Sequence, residues 1–297
     1  MHPKEKKLVI FIGNGYDKAY QYKTGYDNFI ESAIFLDLVG NNKLATHIKE
    51  IFSIKKWADL ESELFNYSKL ITKIHGEGNE VQAKLLENEF YELKRSIYKY
   101  LQNSSNGYSN KVLDELQKEW IYNNSELQIE IICFNYTPTI NTSIYNLHLT
   151  DKCKIHHIHG YLNYNLADTT DAIVLGIDET MRVEENHGFL YKSKSESLDI
   201  KGIKEIINSS EKYIIFGCSL GETDTWYFKD IFKCKKKSFG IYYHGPSDYK
   251  YITHRIIELS GSLHTFRSEN EVFFYDSNDL LNHVKTLKKN IVYNSYN

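Results

Sequence analysis

Proline and cysteine are scarce in this 297-residue chain, three and four residues respectively, and long hydrophobic runs are missing. The cysteines, Cys133, Cys153, Cys218 and Cys234, lie far apart with no C-x-x-C pair. Neither a disulfide framework nor a zinc ribbon is therefore expected, and no metal. No apolar stretch approaches the ~20 residues that a membrane-spanning helix needs, so no membrane partner is expected. An excess of one charge is missing too: 36 Lys and Arg against 39 Asp and Glu leave a net −3. That balance argues against a protein built to neutralise phosphates along a nucleic acid. The basic run Lys233 to Lys237, broken by Cys234, reads as a solvated turn. The N-terminus runs from basic to apolar residues and straight into Gly13-Asn14-Gly15, with no small-residue cleavage site. It reads as a first strand rather than a signal peptide, and the expectation is a soluble, cytoplasmic protein. What is abundant is tyrosine, 24 residues. That content suits a stacking surface, or reflects codon bias in an AT-rich genome, the simpler account.

The length allows one large domain or two small ones. Leu8-Val9-Ile10-Phe11-Ile12 is a continuous apolar run, the mark of a strand buried on both faces. Further strands are predicted at Ile129 to Phe134, Ala172 to Leu175, Tyr213 to Phe216, Ser238 to Tyr243 and Val272 to Tyr275. Helical patterns at Ile200 to Ile207, Thr225 to Phe232 and His254 to Leu259 separate them. This alternation predicts a parallel α/β sheet with helices on both faces. From Gly25 to Tyr122 almost everything reads as helix. Trp57, Leu60, Leu64, Tyr67, Ile71 and Ile74 form one apolar stripe, and Leu86, Phe90, Leu93, Ile97 and Leu101 another. A loop over Asn103 to Gly107 follows.

Four motifs stand at strand ends. In Phe11-Ile12-Gly13-Asn14-Gly15-Tyr16-Asp17 a glycine pair directly after the first strand would let the backbone approach a diphosphate. Lys18 stands where a dinucleotide fingerprint has its third glycine, so a plain tight turn is the competing reading. In Cys133-Phe134-Asn135-Tyr136-Thr137 the Asn135 amide suits a ribose hydroxyl or a water, or caps the following helix. In His156-His157-Ile158-His159-Gly160 a strand would put His157 and His159 on one face. His159, at the strand end, suits a general base, against a satisfied structural histidine. Gly217-Cys218-Ser219-Leu220-Gly221 matches the nucleophile elbow G-x-S-x-G, with Asp248 and His264 as candidate partners of Ser219. A serine hydrolase is thus an alternative, although it leaves the other three motifs without a role. The same glycines could instead bring a loop close to a nucleotide, with Asp224 opening the next helix.

In order, these motifs resemble the abortive-infection AbiH family of anti-phage proteins. Its pattern runs G-N-G-[FY]-D, W-x-D-x-E, F-N-Y-T, I-H-G and G-x-S-L-G-x-x-D. Here these are Gly13 to Asp17, Trp57-Ala58-Asp59-Leu60-Glu61, Phe134 to Thr137, Ile158 to Gly160, and Gly217 to Asp224. The family is in turn similar to sirtuin-like NAD-consuming domains of bacterial immune systems. The resemblance implies a single AbiH-like domain over 1–297, with a Rossmann-like, sirtuin-like core from 7–24 and 127–290. A helical subdomain is inserted at about 25–126. It also implies NAD as substrate, with Gly13, Asn14 and Gly15 at the diphosphate, Asn135 at the nicotinamide ribose and His159 as base. Asp17 joins the catalytic set; Glu61, Tyr136, Gly160, Gly217, Ser219 and Asp224 complete the nucleotide contacts. An asparagine, Asn14, replaces the sirtuin alanine and the four-cysteine zinc module is absent. What the resemblance leaves is hydrolysis of NAD rather than protein deacylation.

Cleaving the nicotinamide–ribose bond passes through an oxocarbenium-like state, and the leaving group departs neutral without a strong acid. A base for water, a fixed ribose and a dry pocket suffice. Asp17, Glu61 and Asp224 could stabilise positive charge or bind hydroxyls, whereas Asp59 and Glu61 equally complement a helix dipole. Because NAD loss would kill the host, gating by homo-oligomerisation or a phage-derived trigger is expected. A non-catalytic nucleotide sensor is the third reading.

Overall fold

The computed structural model describes residues 6–55, 59–104, 109–162, 172–194 and 200–294. The chain forms two compact units. The first comprises Met1–Gln21, Gly107–His157 and Asp199–Asn297, the second Tyr22–Asn106 and Ile158–Leu198.

The first unit is built on six strands: β1 (Lys7–Ile12), β2 (Gln128–Cys133), β3 (Cys153–His157), β4 (Lys212–Phe216), β5 (Ser238–Tyr243) and β6 (Glu271–Asp276). All pair in parallel, in the order β3-β2-β1-β4-β5-β6. This is the doubly wound Rossmann order, in which the direction of winding reverses between β1 and β4. β1 lies at the centre because its apolar run suits neighbours on both edges and cover on both faces: Leu8 to Ile12 are at most 2% exposed. On one face Phe11, Tyr213 and Phe239 stack with Phe228 and Phe232. On the other, Phe216 meets Tyr16, Trp120 and Tyr242. Part of the tyrosine content is thus core, its hydroxyls satisfied internally. Tyr16 donates to Gln117 Oε1 (2.9 Å), Tyr213 to the Ile207 carbonyl (2.9 Å), and Tyr242 accepts from Trp120 Nε1 (3.0 Å).

One expected strand is absent. Among the described residues Ala172 to Leu175 makes a single antiparallel bridge, Ile173 to Gly160, and it lies in the second unit outside the sheet. Apolar composition alone does not distinguish a ladder strand from a buried extended segment, and these four residues are all buried.

The second unit carries helices Tyr26–Ile30, Ala33–Val39, Lys43–Lys55, Leu60–His75 and Glu80–Asn103. The stripe Leu86, Phe90, Leu93, Ile97 and Leu101 is at most 4% exposed, each residue contributing about 1.5–3 kcal/mol by burial. The stripe on Leu60–His75 holds for Leu60, Leu64 and Tyr67, but Ile74 is 62% exposed. Trp57 and Ala58, like residues 105–107 of the expected loop, lie outside the described residues. Asp59 caps Leu60–His75 by accepting the Glu61 N–H, and Asn79 caps Glu80–Asn103 through the Gln82 N–H. Asn42 ties Lys43–Lys55 to Glu80–Asn103, donating to the Glu89 carbonyl at 2.9 Å.

Candidate functional site

The expected site residues fall into two clusters, one in each unit. In the first unit, the carboxyl ends of β2, β1 and β4 carry Asn135, Gly13 to Asp17, and the Gly217 loop. The glycines serve a loop-to-loop approach. Gly13 N–H donates to the Phe216 carbonyl and Gly15 N–H to the Gly217 carbonyl, both at 2.9 Å. A Cβ on Gly13 would lie 2.4 Å from the Gly217 oxygen, and one on Gly217, at φ +69, would lie 2.5 Å from the Tyr16 nitrogen. Those two amides are therefore committed to protein carbonyls. Asn14, half-buried, opens the short helix Asn14–Ala19.

Asp17, on that helix, is 1% exposed. Its Oδ1 accepts from Asn135 Nδ2 at 3.0 Å, and Oδ2 accepts closely from the Thr137 hydroxyl. Asn135, itself 6% exposed, gives its other N–H to the Gly13 carbonyl at 3.1 Å. Thr139 donates to Thr137 Oγ1 at 3.0 Å, and Tyr136 is half-buried on the same turn. Burial pushes the nearby Cys133 and Cys218 thiols well up, so neither supplies a thiolate.

The loop after β4 does not assemble a hydrolase triad. In an elbow the nucleophile itself sits in the strained turn. Here the positive φ values fall on Gly217 and Leu220 (+54), not on Ser219. Ser219 is exposed, and among the described residues no histidine hydrogen-bonds to it. Asp248 accepts the His244 N–H at 2.7 Å at the start of helix Gly245–Ser260, and His264 is exposed. The loop is held by Arg255, 8% exposed, whose Nε donates to the Leu220 carbonyl (2.8 Å) and Nη2 to Thr225 (3.1 Å). Half-buried Asp224 caps Thr225–Phe228 by position, without a side-chain bond to the helix.

In the second unit, β3 having ended at His157, Ile158 and His159 form a turn and Gly160 makes the bridge to Ile173. The strand alternation expected for His157 and His159 therefore stops short. His156 reaches Glu130 (2.6 Å) and His157 reaches Asn141 (2.6 Å), and burial lowers the pKa of His157 below its ordinary value. His159 is 6% exposed, its carbonyl accepting the Val174 N–H at 2.7 Å. Gly160 sits at φ +71, where a Cβ would meet the Ala172 oxygen at 2.3 Å. Lys192, 7% exposed, donates to Glu61 Oε2 at 2.9 Å and to His159 Nε2 at 3.4 Å. An ammonium has no acceptor, so in this bond Nε2 holds the lone pair and Nδ1 the proton. Glu61 is thus half of a buried ion pair, and Asp59 alone does the capping.

Lys192, Thr137 and Arg255 were not selected from the sequence. Thr137 had a signal, its place in F-N-Y-T. Lys192, in Tyr191-Lys192-Ser193-Lys194, and Arg255, mid-helix, had none, since isolated cations read as solvated surface. Among the described residues no group of three or more His, Cys, Asp or Glu could hold a metal, and no helix is long and apolar enough to cross a membrane.

A family model described as bacteriophage abortive infection AbiH matches residues 9–243, a range that includes Gly13, Asn135, His159 and Asp224. No curated protein matches.

Proposed function

Because this chain belongs to the bacteriophage abortive infection AbiH family, we propose that it is an effector of phage defence that hydrolyses NAD to nicotinamide and ADP-ribose. The observation that supports this most is the placement of Asn135, Asp17 and the two glycine loops at the carboxyl ends of β2, β1 and β4. Sheets with this strand order take nucleotides at that edge, where the winding reverses. In this reading Asn135 holds a ribose. Water forms the new bond to C1′ as the C1′–N bond breaks, its electron pair leaving with neutral nicotinamide. The proton from water goes to a general base, the role that the family resemblance implies for His159.

The test follows intracellular NAD during phage infection in cells carrying wild type, His159→Ala, Asn135→Ala or Ser219→Ala. NAD loss with wild type and Ser219→Ala, abolished at least tenfold in the other two, is the expected outcome. Unchanged NAD with full protection in all four ends the enzyme reading. Protection without NAD loss, together with a melting temperature raised by ADP-ribose, would identify a nucleotide sensor.

A further inference from the structure

Asn135 has two N–H groups and both are committed, to the Gly13 carbonyl at 3.1 Å and the Asp17 carboxylate at 3.0 Å. The assignment of nitrogen and oxygen follows from chemistry: a flipped amide would set its oxygen against a carbonyl and a carboxylate, neither of which can donate. Asn135 Oδ1 has no hydrogen-bond partner among the described residues, although the residue is 6% exposed. The amide therefore presents a single group outward, and that group is an acceptor.

What holds it so is a directed chain. Thr139 donates to Thr137 at 3.0 Å, and Thr137 gives its one O–H to Asp17 Oδ2, a carboxylate oxygen that can only accept. Asp17 is left with Oδ1 toward Asn135. We propose that Thr137, acting through Asp17, is a positioning residue that locks Asn135 as an acceptor-only group, so that the ligand atom it takes is a hydrogen-bond donor. The class of ligand group follows. A hydroxyl or an amide N–H fits. The diphosphate bridge of a dinucleotide or a carboxylate, which has only acceptors at neutral pH, would face an amide oxygen with a buried carboxylate behind it. The diphosphate of a nucleotide is thereby turned away from Asn135, and a ribose hydroxyl is the group selected. The geometry is independent of the NAD reading; the identity of the hydroxyl rests on it.

The experiment measures binding of NAD and of its 2′-deoxy and 3′-deoxy nicotinamide-ribose analogues to the full chain, as wild type, Thr137→Val, Thr137→Ser and Asn135→Ala. Wild type is expected to prefer NAD about tenfold over one of the two analogues. Asn135→Ala should abolish that preference, Thr137→Val should reduce it toward one, and Thr137→Ser should restore it. A merely structural Thr137 would weaken all ligands alike and leave the ratio unchanged, which overturns the proposal. NAD bound as well as both analogues by wild type also overturns it, while sparing the NAD reading. If wild type binds no NAD, that reading fails instead, and proton exchange of the Asn135 side-chain amide in the ligand-free protein decides. Slow exchange in wild type and Thr137→Ser, with fast exchange in Thr137→Val, upholds the positioning role; equal rates in all three refute it.

Discussion

A lysine ammonium is stable inside a protein only with an anion beside it, and Lys192 has Glu61 at 2.9 Å with both side chains under a tenth exposed. Removing one partner is costlier than removing both, because a charge without its counterion stays buried. Lys192→Met is expected to lower the unfolding free energy by about 3–5 kcal/mol, while Glu61→Gln with Lys192→Met should cost clearly less than the sum of the single changes. Urea denaturation of the three variants checks this. Additive losses would show that the ion pair makes no coupled contribution. The same ammonium determines which nitrogen of His159 carries the proton, so one lysine links the stability of the second unit to the chemistry proposed for its histidine.

At the scale of elements, the turns after β1 and β4 show why two similar-looking glycine patterns behave differently. Gly217 needs its left-handed backbone and has no room for a Cβ; Gly221, at φ −56, has Ser219 Oγ no nearer than 3.6 Å. Gly217→Ala is expected to destabilise by at least the ~1–3 kcal/mol of backbone strain, with steric overlap added. Gly221→Ala should stay within about 0.5 kcal/mol of wild type. Melting temperatures of the pair distinguish a loop packed on its neighbour from a nucleophile elbow, in which both glycines would be required. The turns at these strand ends and the buried stripe of Glu80–Asn103 were legible in the sequence because each is set by residues a few positions apart; the Asp59 cap was not, its acid reading only as a complement to a helix dipole. Ala172 to Leu175 was misread as a strand because its pairing depends on a segment the local pattern does not name.

For the whole molecule, the chain passes from the first unit to the second at Gln21–Tyr22 and again at His157–Ile158, and returns after each passage. The two units have different polar interiors, and both contain histidines held neutral. Burial lowers the pKa of His157 and His283 in the first unit and of His187 in the second. As pH falls through the ordinary imidazole value of about 6.5, the unfolded chain takes up protons that the folded one refuses. Stability is therefore present above that value and declines below it, until the folded histidines titrate. Denaturation midpoints between pH 7.5 and 5.5 should fall, and less steeply in His157→Gln. A flat profile in wild type would contradict the burial assigned to these rings.

Apolar periodicity, the glycine turn after a buried strand, and the ordered motifs were sufficient to specify a parallel α/β core, a helical region and family membership, since each is written in neighbouring residues. Only the tertiary structure decided which backbone amides were already taken, which way the Asn135 amide faces, and that a lysine far from any motif stands beside His159. Those outcomes depend on which distant segments meet, and hydrogen-bond donors and buried charges acquire their roles only from the partner that the fold brings to them.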